Sequence, residues 1–384
     1  MMPTKKKQHF VPKLYMRNFS DGKIFNIYIH SNNMMKYGVG FKNQCQENYY
    51  YGIDLEWENT LGQIEKAYSD IIYKTIMNKK YFPNDSEVEV IKKFIVFQRQ
   101  RGTFMEHESK NVRWALKASI AKLVAINKLK MFPTEEAIEQ LKVMNYDIDS
   151  LQVVKTNLEN AMNFPSHISD LSMSIIRYVG ETKLISSDNP VVFYNAYNQP
   201  DIGLDHAGLI IMLPITPDTL IVFYDGKMYK EIPKLSCVRN ENEVMKLNSI
   251  QFIVSKDILF FRDKETEKNV RKIILKYRKK RDHFQNRKTS FEFGTDKDKV
   301  VLNQNRYIDD TFNFSFITVT PRASRFSLVV KDWIFREESG EYIERMENRL
   351  SMMQSGLFDG VDRKHKREMK HFMRFVYDYW NNIL

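Results

Sequence analysis

Residues 209–224 read LIIMLPITPDTLIVFY, and this stretch decides the fold class. Leu209–Leu213 and Leu220–Tyr224 are short apolar runs bounded by turn residues, a pattern typical of β-strands. Ile175–Ile185 and Val191–Tyr194 have the same character. Because the connections between these runs are short, we predict that they pair mostly antiparallel.

Helical patterns lie on either side of this strand region. Glu56–Met77 carries apolar residues three and four positions apart, which is the periodicity of an amphipathic helix. We also predict helices over Glu87–Lys130, in which Gly102 is the weakest point, over Ser150–Met162 and over Glu241–Ser255. Helices that are segregated from a run of strands favour an α+β fold over a parallel α/β sheet. The expected architecture is a helical N-terminal half packed on a mostly antiparallel sheet.

The chain is expected to divide into a main domain and a C-terminal extension. Glu265–Gln285 is predicted to form a basic helix, and a polar stretch follows it. We therefore assign residues 5–288 to a main α+β domain. Residues 289–384 form the extension, in which strands precede an amphipathic helix over residues 363–384.

The composition of the 384 residues is that of a globular protein, with 43% hydrophobic and 28% charged residues. This composition excludes a disordered chain and a collagen. The longest aliphatic run is Leu209–Leu213, whereas a membrane span needs about 20 apolar residues, so no membrane-spanning helix is expected. Cys45 and Cys237 are too few for a disulfide framework or a Cys-based zinc site. With no apolar segment after the N-terminal lysines, we expect a cytoplasmic protein.

The net charge of +11 is concentrated in two places. Twelve Lys/Arg and four Asp/Glu lie between Arg262 and Lys288, and a second basic run lies between Asp362 and Arg374. Basic stripes bind phosphates or anionic lipid headgroups, although a solvated helix face is the simpler interpretation of either run alone. Because the two runs together hold the whole excess, we expect nucleic acid as the partner. The candidate nucleic-acid-binding residues are Arg271, Lys272, Lys276, Arg278, Lys279 and Lys280.

An unusual segment near the N-terminus, residues 7–19, reads KQHFVPKLYMRNF. Its Gln8-His9 pair precedes Pro12, which fixes a bend, and the surrounding apolar residues anchor the segment. This arrangement predicts that both polar side chains are carried rigidly into a pocket. A structural histidine held by hydrogen bonds is the alternative for His9.

Two further polar motifs stand beside apolar residues. In FQRQRG at residues 97–102, Gln98 and Arg101 are three positions apart and therefore share one helix face. A buried arginine requires an anionic partner or ligand. In ISSDNPVV at residues 185–192, Asp188 and Asn189 precede a proline, where they either cap a turn or belong to a site.

These motifs, in this order, resemble those of a bacterial family catalogued as domain of unknown function 4238. The family opens with a pattern like Gln-His-x-Val-Pro-x-x-Tyr-Leu-Arg-x-Phe, and Met16 replaces the usual Leu here. Its Gln-x-x-Arg, Ser-Asp-Asn-Pro-Val and Leu-Pro-x-Ser/Thr-Pro elements are similar to residues 98–101, 187–191 and 213–217. The resemblance spans residues 5–262 and implies an α+β bacterial protein, from a family with members among candidate phage-defence genes.

The resemblance also implies a site built from these elements. His9 would supply acid/base catalysis, and Asp188 would act as a base or metal ligand. Arg101 would clamp a phosphate while Gln98 donates a hydrogen bond. Two further members of the predicted catalytic set are Asn189, as an orienting group, and Glu65, which is similar to a glutamate in an early helix of the family. The sequence contains no metal-binding motif, so the cofactor is left open, a divalent metal included.

We therefore expect an anti-phage defence effector, a nuclease that acts on RNA or DNA through this polar pocket. A non-catalytic sensor that binds phage nucleic acid or a phage protein is the first alternative. The second is a metal-independent ribonuclease of HEPN type, because Arg101 and His107 fit its Arg-x4–6-His spacing. The strand region argues against a plain helical HEPN fold. The sequence has no Walker A loop and no Gly-x-Gly-x-x-Gly, Gly-x-Ser-x-Gly or His-Glu-x-x-His motif.

Overall fold

The computed structural model describes residues 6–111, 149–196, 203–286 and 312–320, together with Arg336. Its α-helices include α1 (Lys13–Arg17), α2 (Glu56–Met77), α3 (Asp85–Gln100), α4 (Ser150–Ala161), α5 (Glu241–Val254) and α6 (Lys264–Gln285). The fold is α+β, as the sequence predicts, because helices and mainly antiparallel strands are both abundant and do not alternate in βαβ units.

The strands form a pair and two larger sheets. They are β1 (Lys7–His9), β2 (Ile24–Ile29), β3 (Met34–Gly40), β4 (Gln46–Asn48), β5 (Ser172–Tyr178), β6 (Ser186–Ser187), β7 (Val192–Tyr194), β8 (Ile210–Thr216), β9 (Thr219–Tyr224), β10 (Leu235–Val238) and β11 (Ile258–Phe261). Strand β1 pairs with β4, the second sheet has the order β10-β5-β9-β8-β7, and the third has the order β3-β2-β11-β6. Neighbours are antiparallel except for β10 and β5, which run parallel.

Both faces of the five-stranded sheet are buried, and alternate residues point to different cores. Ile211 and Phe223 belong to a core that also includes apolar residues of α2, α3 and α4. Ile210 and Val222 face the opposite way, into a core shared with α5 and α6. Strands covered on both faces read as continuous apolar runs, which explains the stretch at residues 209–224.

The sequence patterns predict the position of helix α2 correctly, but they predict one strand only in part. The apolar periodicity of α2 is confirmed, since Leu61, Ile64 and Tyr68 are all buried along one face. The predicted strand over residues 175–185 is wrong in its second half, because β5 ends at Tyr178 and a turn follows. The carboxylate of Glu241 fixes that turn by accepting hydrogen bonds from the backbone N–H groups of residues 181 and 182.

The long helical stretch predicted from residue 87 is interrupted at its weakest point. Helix α3 ends at Gln100, Arg101 and Gly102 form a turn, and residues 103–111 are helical again. An Asn84–Glu87 capping box starts α3, with the Asn84 side chain accepting from the Glu87 N–H and the Glu87 side chain accepting in return. Residues 112–148 lie outside the described part of the chain.

Most of the predicted C-terminal extension, including the amphipathic helix over residues 363–384, lies outside the described residues. Residues 312–320 are described, and they pack on the main domain. Val319 forms an isolated bridge with Tyr229, and the hydroxyl of Tyr194 accepts a hydrogen bond from the N–H of Phe312 at 2.9 Å. The segment therefore belongs structurally to the core that contains α5 and α6.

Candidate functional site

The N-terminal motif is a clamp on a turn near residue 51. Gln8 is fully buried in β1, and its Nε2 donates to the carbonyl of Gly52 at 2.8 Å. Its Oε1 accepts from the N–H of Tyr51 at 2.5 Å. Gly52 adopts a φ of +100°, a left-handed conformation that side-chain-bearing residues avoid. The amide of Gln8 thus satisfies the backbone of this glycine-dependent turn and does not enter a pocket.

Arg101 is the centre of a buried hydrogen-bonded network. Its Nη1 donates to Oε1 of Glu65 at 2.7 Å, while its Nε and Nη2 donate to Oε1 of Gln98 at 2.9 and 2.6 Å. Gln98 in turn donates through Nε2 to the carbonyl of Phe10 at 3.0 Å. Burial alone would lower the pKa of Arg101, but the charge of Glu65 and the nearby Tyr51 raise it, so the guanidinium stays ionised.

The network joins α2, α3 and the N-terminal segment, and its members differ in exposure. The side chains of Arg101 and Glu65 are 2% and 23% exposed, so the arginine is sealed and the glutamate reaches the surface. The anionic partner that a buried arginine requires is therefore a protein carboxylate. We call these three residues, Glu65, Gln98 and Arg101, the arginine network.

His9 lies at the edge of the arginine network and is only partly buried. Its Nε2 lies 2.9 Å from the carbonyl of Lys42, which can only accept, so the proton sits on Nε2 and Nδ1 carries the lone pair. Burial lowers the pKa of His9 to about 4, and the charges of Lys13 and Arg101 act in the same direction. His9 is therefore neutral at pH 7.

Asp188 has its carboxylate enclosed by the backbone of the loop between α5 and β11. Its Oδ1 accepts from the N–H of Lys256 at 2.8 Å, and its Oδ2 accepts from the N–H groups of Asp257 and Ile258 at 2.6 and 2.9 Å. Burial raises the pKa of Asp188 to about 6, although the three hydrogen bonds act in the opposite direction. The side chain is 2% exposed and holds the loop in place.

Asn189 and Ser187 extend this support to the end of α5. The Nδ2 of Asn189 donates to the carbonyl of Val254 at 3.0 Å, and the hydroxyl of Ser187 donates to Oε1 of Gln251 at 2.8 Å. Both contacts are buried. The Ser-Asp-Asn motif therefore joins β6 to the C-terminal end of α5 and to the loop that follows.

The structure brings the predicted catalytic residues into one region but turns their functional groups in different directions. A Cβ on Gly102 would lie 3.8 Å from the carbonyl oxygen of Asp188, so the backbone of Asp188 passes beside the arginine network. Burial raises the pKa of the Cys45 thiol, and the charge of Asp188 is the next largest cause. The carbonyl of Cys45 accepts a hydrogen bond from the N–H of Phe10, next to His9 in the N-terminal segment. Asp188 points toward the loop after α5, whereas His9 points toward Lys42.

The pair Arg101 and His107 is divided by the turn that ends α3. Arg101 is sealed in the arginine network, while His107 lies on the helical stretch over residues 103–111 and is partly exposed. Burial lowers the pKa of His107, and the charge of Lys256 adds to this effect. The two side chains do not present one shared surface to a substrate.

A basic groove of about 690 Å³ lies between α5 and α6, bounded on a third side by residues 312–313. We call it the lysine groove. Its charged and aromatic lining consists of Lys246, Lys272, Lys276, Lys280, Tyr277 and Phe312. Three of these lysines follow one another at four-residue intervals along α6, and Lys246 comes from the facing helix α5. Lys246 donates to the carbonyl of Asn313 at 2.7 Å, which ties α5 to the third wall.

The other predicted basic residues of α6 lie outside the lysine groove. Arg271 donates to Oε1 of Glu267 at 2.7 Å, and Arg278 donates to Oδ1 of Asn33 at 2.9 Å. Lys279 is exposed and is not part of the groove lining. The helix therefore divides its charges between one face turned to β2 and β3 and another turned to α5.

Lys246 and Tyr277 are groove residues that the sequence analysis missed. Lys246 lies outside the basic run. The sequence indicates it as a groove residue only by its position on the polar side of α5, four residues after Asn242 and three before Ser249. Tyr277 sits within the run but is uncharged.

Within the described residues, no set of three or more His, Cys, Asp or Glu side chains is arranged to hold a metal ion. The same part of the chain has no helix with the length and apolar character of a membrane span.

The fold and these two features define an α+β protein with a buried arginine network and a separate lysine groove. The family model described as "Protein of unknown function (DUF4238)" matches residues 7–265, which is more than half of the chain. The chain therefore belongs to the DUF4238 family, and the resemblance drawn from its motifs is confirmed. No curated protein and no solved structure gives a significant match. Most of α6, and hence most of the lysine groove, lies beyond the matched residues.

Proposed function

We propose that this protein binds nucleic acid through the lysine groove. The observation that supports the proposal is the convergence of four lysines from α5 and α6 on one concavity that also contains a tyrosine. Lys246, separated in sequence from the basic run, completes the cluster. A charge run that only solvates a helix face would not require a lysine from the facing helix.

The described lining of the groove contributes four lysines and no acidic side chain. Of these lysines, Lys246 donates to a neutral carbonyl. On the far side of α6, by contrast, Arg271 is paired with Glu267. Lysines that converge on one concavity attract a polyanion, and release of its counterions makes such binding strong at low salt.

The test compares two double variants that change the net charge equally. Lys272→Glu/Lys276→Glu alters the groove, while Lys268→Glu/Lys279→Glu alters exposed positions of the same helix outside it. We expect the groove variant to lose affinity for a fluorescent oligonucleotide. We also expect its dependence of log K on log salt to become shallower by about 0.7–0.9 per lost contact. The control variant should bind much as the wild type does.

Equal loss in the two variants would show that overall charge, and not the groove, governs binding. Undiminished affinity in the groove variant at low salt would contradict the proposal outright. Circular dichroism and the thermal midpoint of each variant establish that α6 is still folded.

We propose phosphodiester hydrolysis at the edge of the arginine network as a second candidate function. The observation that favours it is the state of His9, a neutral histidine whose tautomer is fixed by Lys42 and whose Nδ1 has no partner among the described residues. Lys7 and Lys13 act electrostatically on this ring, and a phosphate would find positive charge there. In this proposal Arg101, Gln98, Asp188 and Asn189 act as positioning residues, and Glu65 carries the exposed carboxylate.

Hydrolysis is tested with a labelled oligonucleotide, in the presence and in the absence of Mg²⁺. Cleavage that His9→Ala abolishes while the thermal midpoint is preserved would support a nuclease. Cleavage that persists in His9→Ala would exclude a catalytic role for His9.

We further propose that the protein serves in phage defence, as an effector or as a sensor of phage nucleic acid, and this proposal rests on the family resemblance.

A further inference from the structure

Tyr277 occupies a distinctive place in the lysine groove. It is half-buried and belongs to the lining, with the Nζ atoms of Lys276 and Lys280 at 5.2 and 5.7 Å from the ring centroid. The ring of Phe312 lies 6.2 Å away at an interplanar angle of 38°. Two ammonium groups thus lie close to one aromatic ring in the groove.

The spacing of the lysines along α6 matches an extended strand. Lys272, Lys276 and Lys280 are four residues apart, so successive ammonium groups are offset by about 6 Å along the helix axis. This offset is comparable to the separation of neighbouring phosphates in an extended single strand. A row of this kind can pair with consecutive phosphates of one strand.

The shape of the groove argues against a duplex. Its volume of about 690 Å³ is within the range of pockets that enclose small molecules, on the order of 300–1,000 Å³, and allows room for one or two nucleotides. The lysines line a concavity between two helices, whereas a duplex presents its phosphates on a wide convex surface. Bases of a duplex are also stacked on each other and cannot reach Tyr277.

We propose that the lysine groove binds single-stranded nucleic acid, with a base stacked on Tyr277 and the flanking phosphates paired with Lys272, Lys276 and Lys280. This inference rests on the proposed nucleic-acid binding and specifies its ligand. Stacking of bases on aromatic side chains combined with a basic track is the general mode by which proteins bind single strands without sequence preference.

The experiment uses the full chain and three probes of equal length: a single-stranded oligonucleotide, the corresponding duplex and an abasic single strand. The abasic strand keeps the phosphates and lacks the bases, so it separates stacking from charge. We expect the single strand to bind roughly tenfold more tightly than the abasic strand, since loss of one stacked base costs about 1–3 kcal/mol. The duplex should bind more weakly than the single strand.

The variants are Tyr277→Leu, which removes the aromatic face and keeps apolar volume, and Tyr277→Phe, which keeps the ring. Tyr277→Leu should bind the single strand and the abasic strand equally, while Tyr277→Phe should retain the wild-type preference. Equal affinity of the wild type for all three probes would overturn the stacking inference and leave nucleic-acid binding intact. Absence of binding to every probe would overturn both. Tight binding of mononucleotides alone would replace the strand by a small phosphorylated ligand and would also overturn the inference.

Discussion

The guanidinium of Arg101 donates to the carboxylate of Glu65 at 2.7 Å from a position that is almost completely buried. The same guanidinium holds Gln98, which reaches the backbone of Phe10. One side chain therefore fixes α2, α3 and the N-terminal segment relative to each other. The planar fork of arginine suits this task, because its donors point toward two acceptors at once.

Replacing Arg101 by lysine should destabilise the protein although it preserves the charge. A single ammonium cannot reproduce both N–H contacts to Gln98 together with the contact to Glu65. Because a buried ion pair with lost partners is costly, we expect the free energy of unfolding to fall by about 3 kcal/mol. Denaturant unfolding measures it. Arg271→Lys, at an exposed ion pair with Glu267, is the matched control and should unfold as the wild type does. Equal behaviour of the two variants would contradict the structural role of Arg101.

Asp188→Asn should release the loop between α5 and β11. The carboxylate accepts three backbone N–H groups, whereas an amide has one acceptor oxygen and directs an NH₂ group at the remaining donors. We expect a loss of about 1–3 kcal/mol in the free energy of unfolding, since buried donors are left unpaired. Faster hydrogen exchange at residues 256–258 would localise the effect. A fully stable Asp188→Asn protein would show that the loop does not depend on this carboxylate.

The stability of the protein should fall as the medium becomes acidic, because two histidines are held neutral in the folded state. Burial lowers the pKa of His9 to about 4 and that of His30 to about 3, both from 6.5. The unfolded chain therefore binds more protons below pH 6.5, and the stability contributed by these groups is lost as the pH falls from 6.5 toward 4. The double variant His9→Gln/His30→Gln should show a flatter dependence of thermal midpoint on pH.

The quantity to follow across this pH range is the difference in thermal midpoint between the wild type and the double variant. Asp188 titrates in the same range with the opposite sign, since its folded pKa of about 6 lies above the ordinary value of 3.8. Its contribution is shared by both proteins and cancels in the difference. A difference that does not change between pH 7 and pH 4 would refute the assignment of neutral histidines.

His9→Ala separates a catalytic histidine from a structural one in living cells. If the proposed nuclease and phage-defence roles hold and His9 transfers a proton, the variant should lose about 10²–10⁴-fold of cleavage rate together with phage protection, with little change in thermal midpoint. If His9 only anchors β1 to Lys42, the thermal midpoint should fall and protection should return at low temperature. Plaque counts on cells that express the His9→Ala variant, together with the thermal midpoint of the purified variant, decide between these outcomes.

Apolar periodicity is sufficient to predict α2, because this helix presents one apolar face to a core. The roles of the polar motifs were harder to predict. Gln98 and Arg101 contact each other as their spacing indicates, but the carboxylate of Glu65 that pairs with Arg101 is 36 residues away in sequence. Pairing of this kind depends on tertiary packing, which local spacing does not encode.

The Ser-Asp-Asn motif shows the same limit. Its sequence allows a turn cap or a reactive carboxylate, and the deciding partners are backbone groups some 70 residues further along the chain. Lys246 illustrates the reverse case, since it lies outside every basic run and joins the lysine groove only because α5 packs against α6. Long-range packing therefore determines which polar residues face a ligand.

The sheet that joins β2 to β11 constrains the order of assembly during synthesis. The side chain of Asn26 on β2 donates to the carbonyl of Arg262, which is 236 residues away, and the registered pairs of the two strands are almost as distant. At roughly 5–20 residues per second, a ribosome needs tens of seconds to supply β11 after β2 has emerged. During this interval β2 and β3 can form only a hairpin, in which the edge of β2 that later pairs with β11 is open and the apolar face is uncovered. We expect nascent chains to depend on chaperones until residue 261 has left the ribosome, and truncations that end before β11 to aggregate.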